Sequence, residues 1–253
     1  MPWFEHGSAR IYYEDQGSGT PLLVLPGWSE SIDEFAELRG ALAGGHRVIA
    51  ADLPGSGKSG PQPRSYAPTY YEDDAIAFLA LIVELGLERP HVAGFSDGGE
   101  VALVMAARNA EALRSVVAWG AVGQTPPLAM IDAFHNVVDQ PSEAMGPFSQ
   151  HLQATYGEGN ARLMSQSVAA AWRAIAQSGD DISRSRAPGI TCPTLLITGD
   201  HDPFAPPAPV AALAAAIPEA EFIEVTDAGH VLHTDHGEWL AETITGWIAR
   251  HDD

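Results

Sequence analysis

The stretch His91-Val92-Ala93-Gly94-Phe95-Ser96-Asp97-Gly98-Gly99, running straight into the apolar segment Val101 to Ala107, leaves the chain few ways to fold. Its pattern is a strand, a very tight turn and a helix, with Ser96 at the tip. Gly94 and Gly98 occupy the two flanking positions where a side chain collides with the neighbouring strand or helix. The serine itself must take a strained backbone conformation. Such a turn lifts Ser96 Oγ out of the scaffold towards a substrate. The bare Gly-x-Ser-x-Gly pattern also arises by chance, so the remaining chain has to support the reading.

The rest of the chain repeats strand and helix signals in alternation. Arg10 to Asp15 alternates Ile and Tyr with polar residues and reads as a strand, preceded by another, before Gln16-Gly17-Ser18-Gly19. Leu22 to Leu25 is continuously apolar, as strands buried on both faces are, and stops at Pro26-Gly27. A helix-like stretch covers Asp33 to Leu42, a second buried strand Arg47 to Asp52, and a long helix Thr69 to Leu85. Beyond the elbow, helices are expected at Gly98 to Asn109, Val210 to Ile217 and Glu238 to Ile248. Strands are expected at Ser115 to Trp119, Thr194 to Thr198 and Glu221 to Val225. Alternation of this kind implies right-handed crossovers and a mostly parallel sheet. The exception is residues 123–187, which carry Met130, Phe134, Met145, Phe148, Tyr156, Met164 and Trp172 with no strand signal. They read as a helical insertion, the composition of a cap over a pocket as well as of ordinary small-helix cores. The expected organisation is one core, 1–122 with 188–253, and a helical cap, 123–187.

Composition narrows the partners. The formal charge of −20 comes from 33 acidic against 13 basic side chains, and Lys58 is the single lysine. Such a surface repels nucleic-acid phosphates and anionic lipid, so neither nucleic acid nor membrane is expected as a partner. The acids are scattered, as on a solvated surface, and form no block. Met1-Pro-Trp-Phe-Glu-His has neither a basic start nor an apolar run, and no segment approaches the roughly 18 consecutive apolar residues of a membrane span. The expectation is a soluble, cytoplasmic protein, monomeric or homodimeric. One cysteine, Cys192, excludes an internal disulfide and reads as a small buried residue.

Gly55-Ser56-Gly57-Lys58-Ser59 invites a phosphate-loop reading, but the spacing is wrong. Asp52 stands where the first glycine of that loop is needed, and Pro61, Pro63 and Pro68 follow where a helix must begin. No cofactor is called for.

A serine hydroxyl is a poor nucleophile and needs an imidazole oriented by a buried carboxylate. Asp227-Ala228-Gly229-His230 follows the last strand, and Gly199-Asp200-His201-Asp202 follows the strand before it. Both therefore fall at the edge of the sheet where Ser96 emerges, the edge at which open α/β sheets build their sites. Asp200 and Asp202 are rival carboxylates, the later one having two more loop residues with which to reach His230. His230, His233, Asp235 and His236 can also be read as metal ligands, against which stands the competing use of His230; no metal is expected.

Taken together, Leu25-Pro26-Gly27-Trp28, Asp52-Leu53-Pro54-Gly55-Ser56-Gly57-Lys58-Ser59, Gly94-Phe95-Ser96-Asp97-Gly98-Gly99, and Gly199-Asp200-His201-Asp202 with Gly229-His230 resemble an alpha/beta-hydrolase from the first strands to the last helix. The resemblance implies an α/β fold with a mostly parallel central sheet flanked by helices. It implies Ser96 as nucleophile, His230 as general base and acid, and Asp202 as the orienting carboxylate. The oxyanion hole falls to the backbone N–H groups of Trp28 and Asp97, each worth roughly 3–4 kcal/mol to a transition state in well-studied cases. Pro26 departs from the usual His-Gly, which keeps the backbone donor and removes a side-chain contact.

Ser96 in place of an aspartate nucleophile points to acyl transfer, and the expected function is hydrolysis of a carboxylic ester through an acyl-enzyme. Ser-Asp-Gly-Gly at the elbow is similar to the biphenyl-hydrolase-like group that includes valacyclovir hydrolase. That resemblance implies Asp97 as a partner for a substrate amine, hence an aminoacyl ester, while Asp97 can equally bond loop groups. Trp28 and Phe204 are the other expected substrate-binding residues. Three further readings share the motifs: a cofactor-free haloperoxidase or perhydrolase, a hydrolase of lactone, thioester or C–C bonds, and a ligand receptor on the same fold.

Overall fold

The computed structural model describes residues 2–252. Eight strands form one sheet in the order β1 (Trp3–His6), β2 (Ala9–Gly17), β4 (Arg47–Ala51), β3 (Pro21–Leu25), β5 (His91–Phe95), β6 (Ser115–Trp119), β7 (Thr194–Gly199) and β8 (Glu221–Val225). β1 pairs antiparallel with β2, β2 antiparallel with β4, and every later pairing is parallel. The mostly parallel α/β sheet expected from the alternation is the observed one.

Every residue of β5, β6 and β7 is buried. Their apolar runs follow from that, since both faces of the sheet are covered. Alternate residues feed two cores. Leu23, Leu25, Val92, Val116 and Leu196 face α2 (Tyr70–Glu84) and α3 (Asp97–Asn109), whereas Leu22, Val24, Ala93, Val117 and Ile197 face α1 (Ala36–Leu42) and a C-terminal helix (Gly237–Arg250). That last helix buries Leu240, Ala241, Ile244, Trp247 and Ile248, the i, i+1, i+4, i+7, i+8 stripe of a helix lying on a sheet.

Between β6 and β7 the chain forms α4 (Leu128–His135), α5 (Gly146–Tyr156), α6 (Glu158–Ser178) and a short 3-10 segment (Arg184–Gly189). The ends of this insertion are tied together: the Gly123 carbonyl accepts the N–H groups of Ile182, Ser183 and Arg184 at 3.0–3.1 Å. The helix Pro207–Ala214 is α7, a single turn at Leu232–Asp235 is α8, and the C-terminal helix is α9.

Two helices start three residues away from expectation. α1 starts at Ala36 instead of Asp33 because Ile32 N–H is held by the Asp52 carboxylate at 2.7 Å and residues 31–35 spend their backbone bonds on successive turns. α7 starts at Pro207, whose fixed φ suits a first helical position, and closes in turns after Ala214.

Candidate active site

The elbow at the end of β5 puts Ser96 at φ +50°, ψ −118°, outside the regions that L residues favour. Its N–H is anchored on the Trp119 carbonyl at 2.9 Å. A side chain at Gly94 would run into the Gly98 carbonyl, and one at Gly98 into the carbonyls of Leu25 and Pro26. The turn is therefore possible only with glycine at both positions.

The parallel register brings the ends of β3, β5, β6, β7 and β8 to one edge, and the loops there supply the partners of Ser96. His230 Nε2 lies 3.1 Å from Ser96 Oγ, and His230 Nδ1 lies 2.8 Å from Asp202 Oδ2. Asp202 Oδ1 accepts the N–H groups of Phe204 and Ala205 at 2.8 and 3.0 Å. Burial alone raises the Asp202 pKa, but the hydrogen bond and charge of His230, with those two N–H groups, outweigh it and hold the carboxyl below its ordinary value. An ionised Asp202 fixes Nδ1 as the protonated nitrogen and leaves Nε2 able to accept the serine proton.

Asp200, the rival carboxylate, points elsewhere. It accepts Ala228 N–H at 3.1 Å and lies 2.9 Å from His201 Nδ1, so it braces the loop leading to His230. The histidines beyond His230 are separated too. His233 is buried, stacked on Phe35 at 4.2 Å and edge-on to Phe95 at 4.6 Å, and burial followed by the neighbouring His230 charge lowers its pKa to about 4. Among the described residues, the metal-type donors that come within 4.8 Å of one another are Asp200, His201 and Asp227, not His230, His233, Asp235 and His236.

Trp28 and Asp97 line the same cavity as Ser96. Asp97 is the first residue of α3, so its N–H has no acceptor within the helix. Trp28 sits inside a turn closed by Glu30 N–H to the Gly27 carbonyl at 3.2 Å, and Glu30 Oε2 in return accepts Gly27 N–H at 3.1 Å. Burial, with a smaller push from Glu34, raises the Glu30 pKa to about 8, so this pocket carboxyl is largely neutral at pH 7.

The Asp97 side chain is fully engaged. Tyr70 Oη donates to Oδ2 at 3.0 Å and Tyr71 Oη to Oδ1 at 2.8 Å. Trp172 Nε1–H lies 2.9 and 3.0 Å from the same two hydroxyl oxygens, from within the insertion. Burial lifts the Asp97 pKa to about 6 against the pull of both tyrosines. Three residues on, Glu100 accepts Val122 and Gly123 N–H at 2.7 and 2.8 Å, with its pKa lifted by burial to about 7. Tyr70, Tyr71, Glu30 and Glu100 were not singled out by motif. For Tyr70, Tyr71 and Glu100 the local signal is a polar group on the buried face of a helix; Glu30, in a turn, carries none.

A cavity of about 410 Å³ opens over Ser96, walled by Trp28, Phe134, Met145, Phe148, Trp172 and Phe204. Phe134 touches Trp28, Phe148, Trp172 and Phe204 in edge or tilted contacts with centroids 5.0–5.9 Å apart. The core supplies Ser96, His230 and the carboxyl groups of the lining, and the insertion supplies much of the apolar wall together with Gln124 and His151, a lining suited to a small organic substrate.

A sheet of this topology, with a strained serine, a histidine and an aspartate at its carboxyl edge, defines a hydrolase fold. The chain belongs to the alpha/beta hydrolase family, whose model matches residues 22–243. Serine hydrolase BPHL of Homo sapiens is 29% identical over 202 residues, 78% of this chain and 68% of that protein. The non-heme haloperoxidase of Rhodococcus erythropolis is 35% identical over 143 residues, covering 56% of this chain and only half of the haloperoxidase. In structure, the enol-lactonase from Burkholderia xenovorans LB400 superposes with a TM-score of 0.80 at 22% identity, over 98% of this chain and 100% of that one. The three are named for different activities.

Proposed function

We propose that the protein is a serine hydrolase that cleaves a carboxylic ester of a small, largely apolar acid or alcohol. The observation that carries this reading is the continuous chain Ser96 Oγ, His230, Asp202, at 3.1 and 2.8 Å, opening into an aromatic cavity. Ser96 Oγ attacks the ester carbonyl carbon while its proton passes to His230 Nε2. The carbonyl π electrons move onto oxygen, which the Trp28 and Asp97 N–H groups receive. Collapse of the tetrahedral adduct breaks the bond to the alcohol oxygen, which takes the proton from His230. Water then gives its proton to His230 and attacks the acyl carbon, and the departing Ser96 Oγ recovers that proton. The insertion acts as the cap over this pocket, and the reaction runs on a soluble, cytoplasmic protein.

Within this reading the Asp97 carboxylate is a structural acceptor for two tyrosine hydroxyls, and its backbone N–H is the functional part. An amine would have to compete with both hydroxyls. Steady-state hydrolysis of p-nitrophenyl butyrate and a matched aminoacyl ester tests both points. Multiple turnovers on the butyrate support the esterase reading, and their absence sinks it in favour of a receptor or a different bond. Asp97→Asn should lower kcat/KM for both esters by a similar factor. A loss confined to the aminoacyl ester would restore the amine-binding role.

A further inference from the structure

The turn carrying Trp28 is strained at a residue other than glycine. Ser29 has φ +66°, at the third position of the turn Gly27–Glu30, where glycine is the residue that fits without cost. A conformation of that kind persists only when its surroundings over-determine it. Ser29 N–H is held by Ser56 Oγ at 3.0 Å. Its carbonyl accepts the Tyr156 hydroxyl from the insertion at 2.8 Å, and Tyr156 Oη in turn accepts Gly57 N–H at 2.8 Å. Tyr156 is the last residue of α5, is buried, and has its hydroxyl pKa pushed up by burial to about 12, so the group is a donor at any working pH.

We propose that Tyr156 is a positioning residue for the oxyanion-binding N–H of Trp28: its hydroxyl locks the Ser29 peptide, and so couples the seating of the helical insertion to assembly of the oxyanion hole. The proposal rests on the serine-hydrolase reading of this site. The two donors of the hole then differ in what holds them. Asp97 N–H is fixed by the start of a buried helix. Trp28 N–H depends on a strained turn that two hydroxyls keep in place, one of them from a distant helix. Without that hydroxyl the Ser29 carbonyl loses its donor, Ser29 is free to leave its positive φ by rotation of the Trp28–Ser29 peptide, and the Trp28 backbone shifts with it, carrying its N–H off its target. Sub-ångström misplacement of such a donor is felt in the transition state far more than in substrate binding.

Three variants and one inhibitor test the idea. Kinetics on p-nitrophenyl butyrate are paired with the affinity for n-butylboronic acid, to which Ser96 Oγ adds as its proton passes to His230, leaving a tetrahedral anion that uses the hole. Tyr156→Phe is expected to lower kcat by about 10- to 100-fold and weaken boronate binding by a similar factor, with KM moving less than about threefold. Ser56→Ala, which frees the Ser29 N–H and so loosens the same strained residue from its other side, should repeat the pattern. Ser29→Gly removes the strain, so Ser29→Gly with Tyr156→Phe should recover most of the lost kcat and boronate affinity. Damage to folding alone would not be repaired by a glycine in another loop. Unchanged kcat and boronate affinity in Tyr156→Phe, or no recovery in the double variant, overturns the proposal. A wild type that neither turns over the ester nor binds the boronate overturns the serine-hydrolase reading itself, and the positioning role with it.

Discussion

At the carboxyl edge of the sheet, Ser96 and Asp202 are each set by their own short loop. Asp202 is fixed by the N–H groups two and three residues ahead of it, and Ser96 by glycines within two positions. The insertion works over long range. Trp172 reaches tyrosines 102 and 101 residues away, and Tyr156 reaches a carbonyl 127 residues away. The core can therefore hold its catalytic geometry with local chain, whereas the insertion acts only by being seated. Changes in the two regions should differ in kind: core changes remove a chemical step, and insertion changes degrade a geometry that the core retains in part.

The largest separation between the regions should come from Ser96→Ala. On the proposed mechanism kcat falls by at least about 10⁴-fold, while the melting temperature stays or rises because a strained hydroxyl-bearing turn is relieved of nothing it needs for packing. Steady-state kinetics with differential scanning calorimetry read both. Residual activity within tenfold of wild type would remove Ser96 from the chemistry.

Asp202→Asn should follow, at about 10³- to 10⁴-fold in kcat. An amide in that place can offer its N–H to Nδ1 and favour the wrong tautomer of His230. Asp200→Asn is the internal control. It only braces Ala228 and His201, so its effect should stay within about tenfold. If the two variants lose activity equally, the local division of labour between these neighbouring carboxylates is wrong.

On the insertion side, Trp172→Phe keeps the ring and deletes the N–H that serves both tyrosine hydroxyls. The hydroxyls still donate to Asp97, so kcat should fall by no more than about tenfold, with a rise in KM because the residue also walls the pocket. A loss as large as that of Asp202→Asn would mean that the insertion is part of the catalytic machinery itself.

This difference in range also decides what could be read from the sequence. Strand runs such as Leu22 to Leu25 and His91 to Phe95 are apolar because both sheet faces are covered, and their bounds are visible locally. Ser96, Asp202 and His230 stand in short glycine-marked loops after strands, so sheet topology alone brings them to one edge. Tyr70, Tyr71, Trp172 and Tyr156 carry no such mark. Each looks like an ordinary aromatic core residue, and only the packed insertion reveals that its polar end has a partner. Glu30 and Glu100 were silent for the same reason: what makes a carboxyl unusual is burial, which the sequence does not display at single positions.

The smallest effect, and the one that sharpens the contrast most finely, concerns Glu30 on the turn where core and insertion meet. Its pKa in the folded protein is about 8, above the ordinary 4.5, because burial disfavours the charged form. The folded state thus holds this proton more tightly than the unfolded chain. The resulting stability is fully present below about pH 4.5 and is lost as pH rises through about 8. Asp97 and Glu100, with values near 6 and 7, act in the same direction at slightly lower pH. Buried histidines such as His233 act in the opposite sense up to about pH 6.5, so the melting temperature should fall between about pH 6.5 and pH 9, and Glu30→Gln, which cannot ionise, should fall by a few degrees less across that window. Parallel curves for the two proteins would show that the turn admits enough water to ionise Glu30 without cost. The strained peptide of Ser29 would then sit in a wetter, looser setting than its two hydrogen bonds imply.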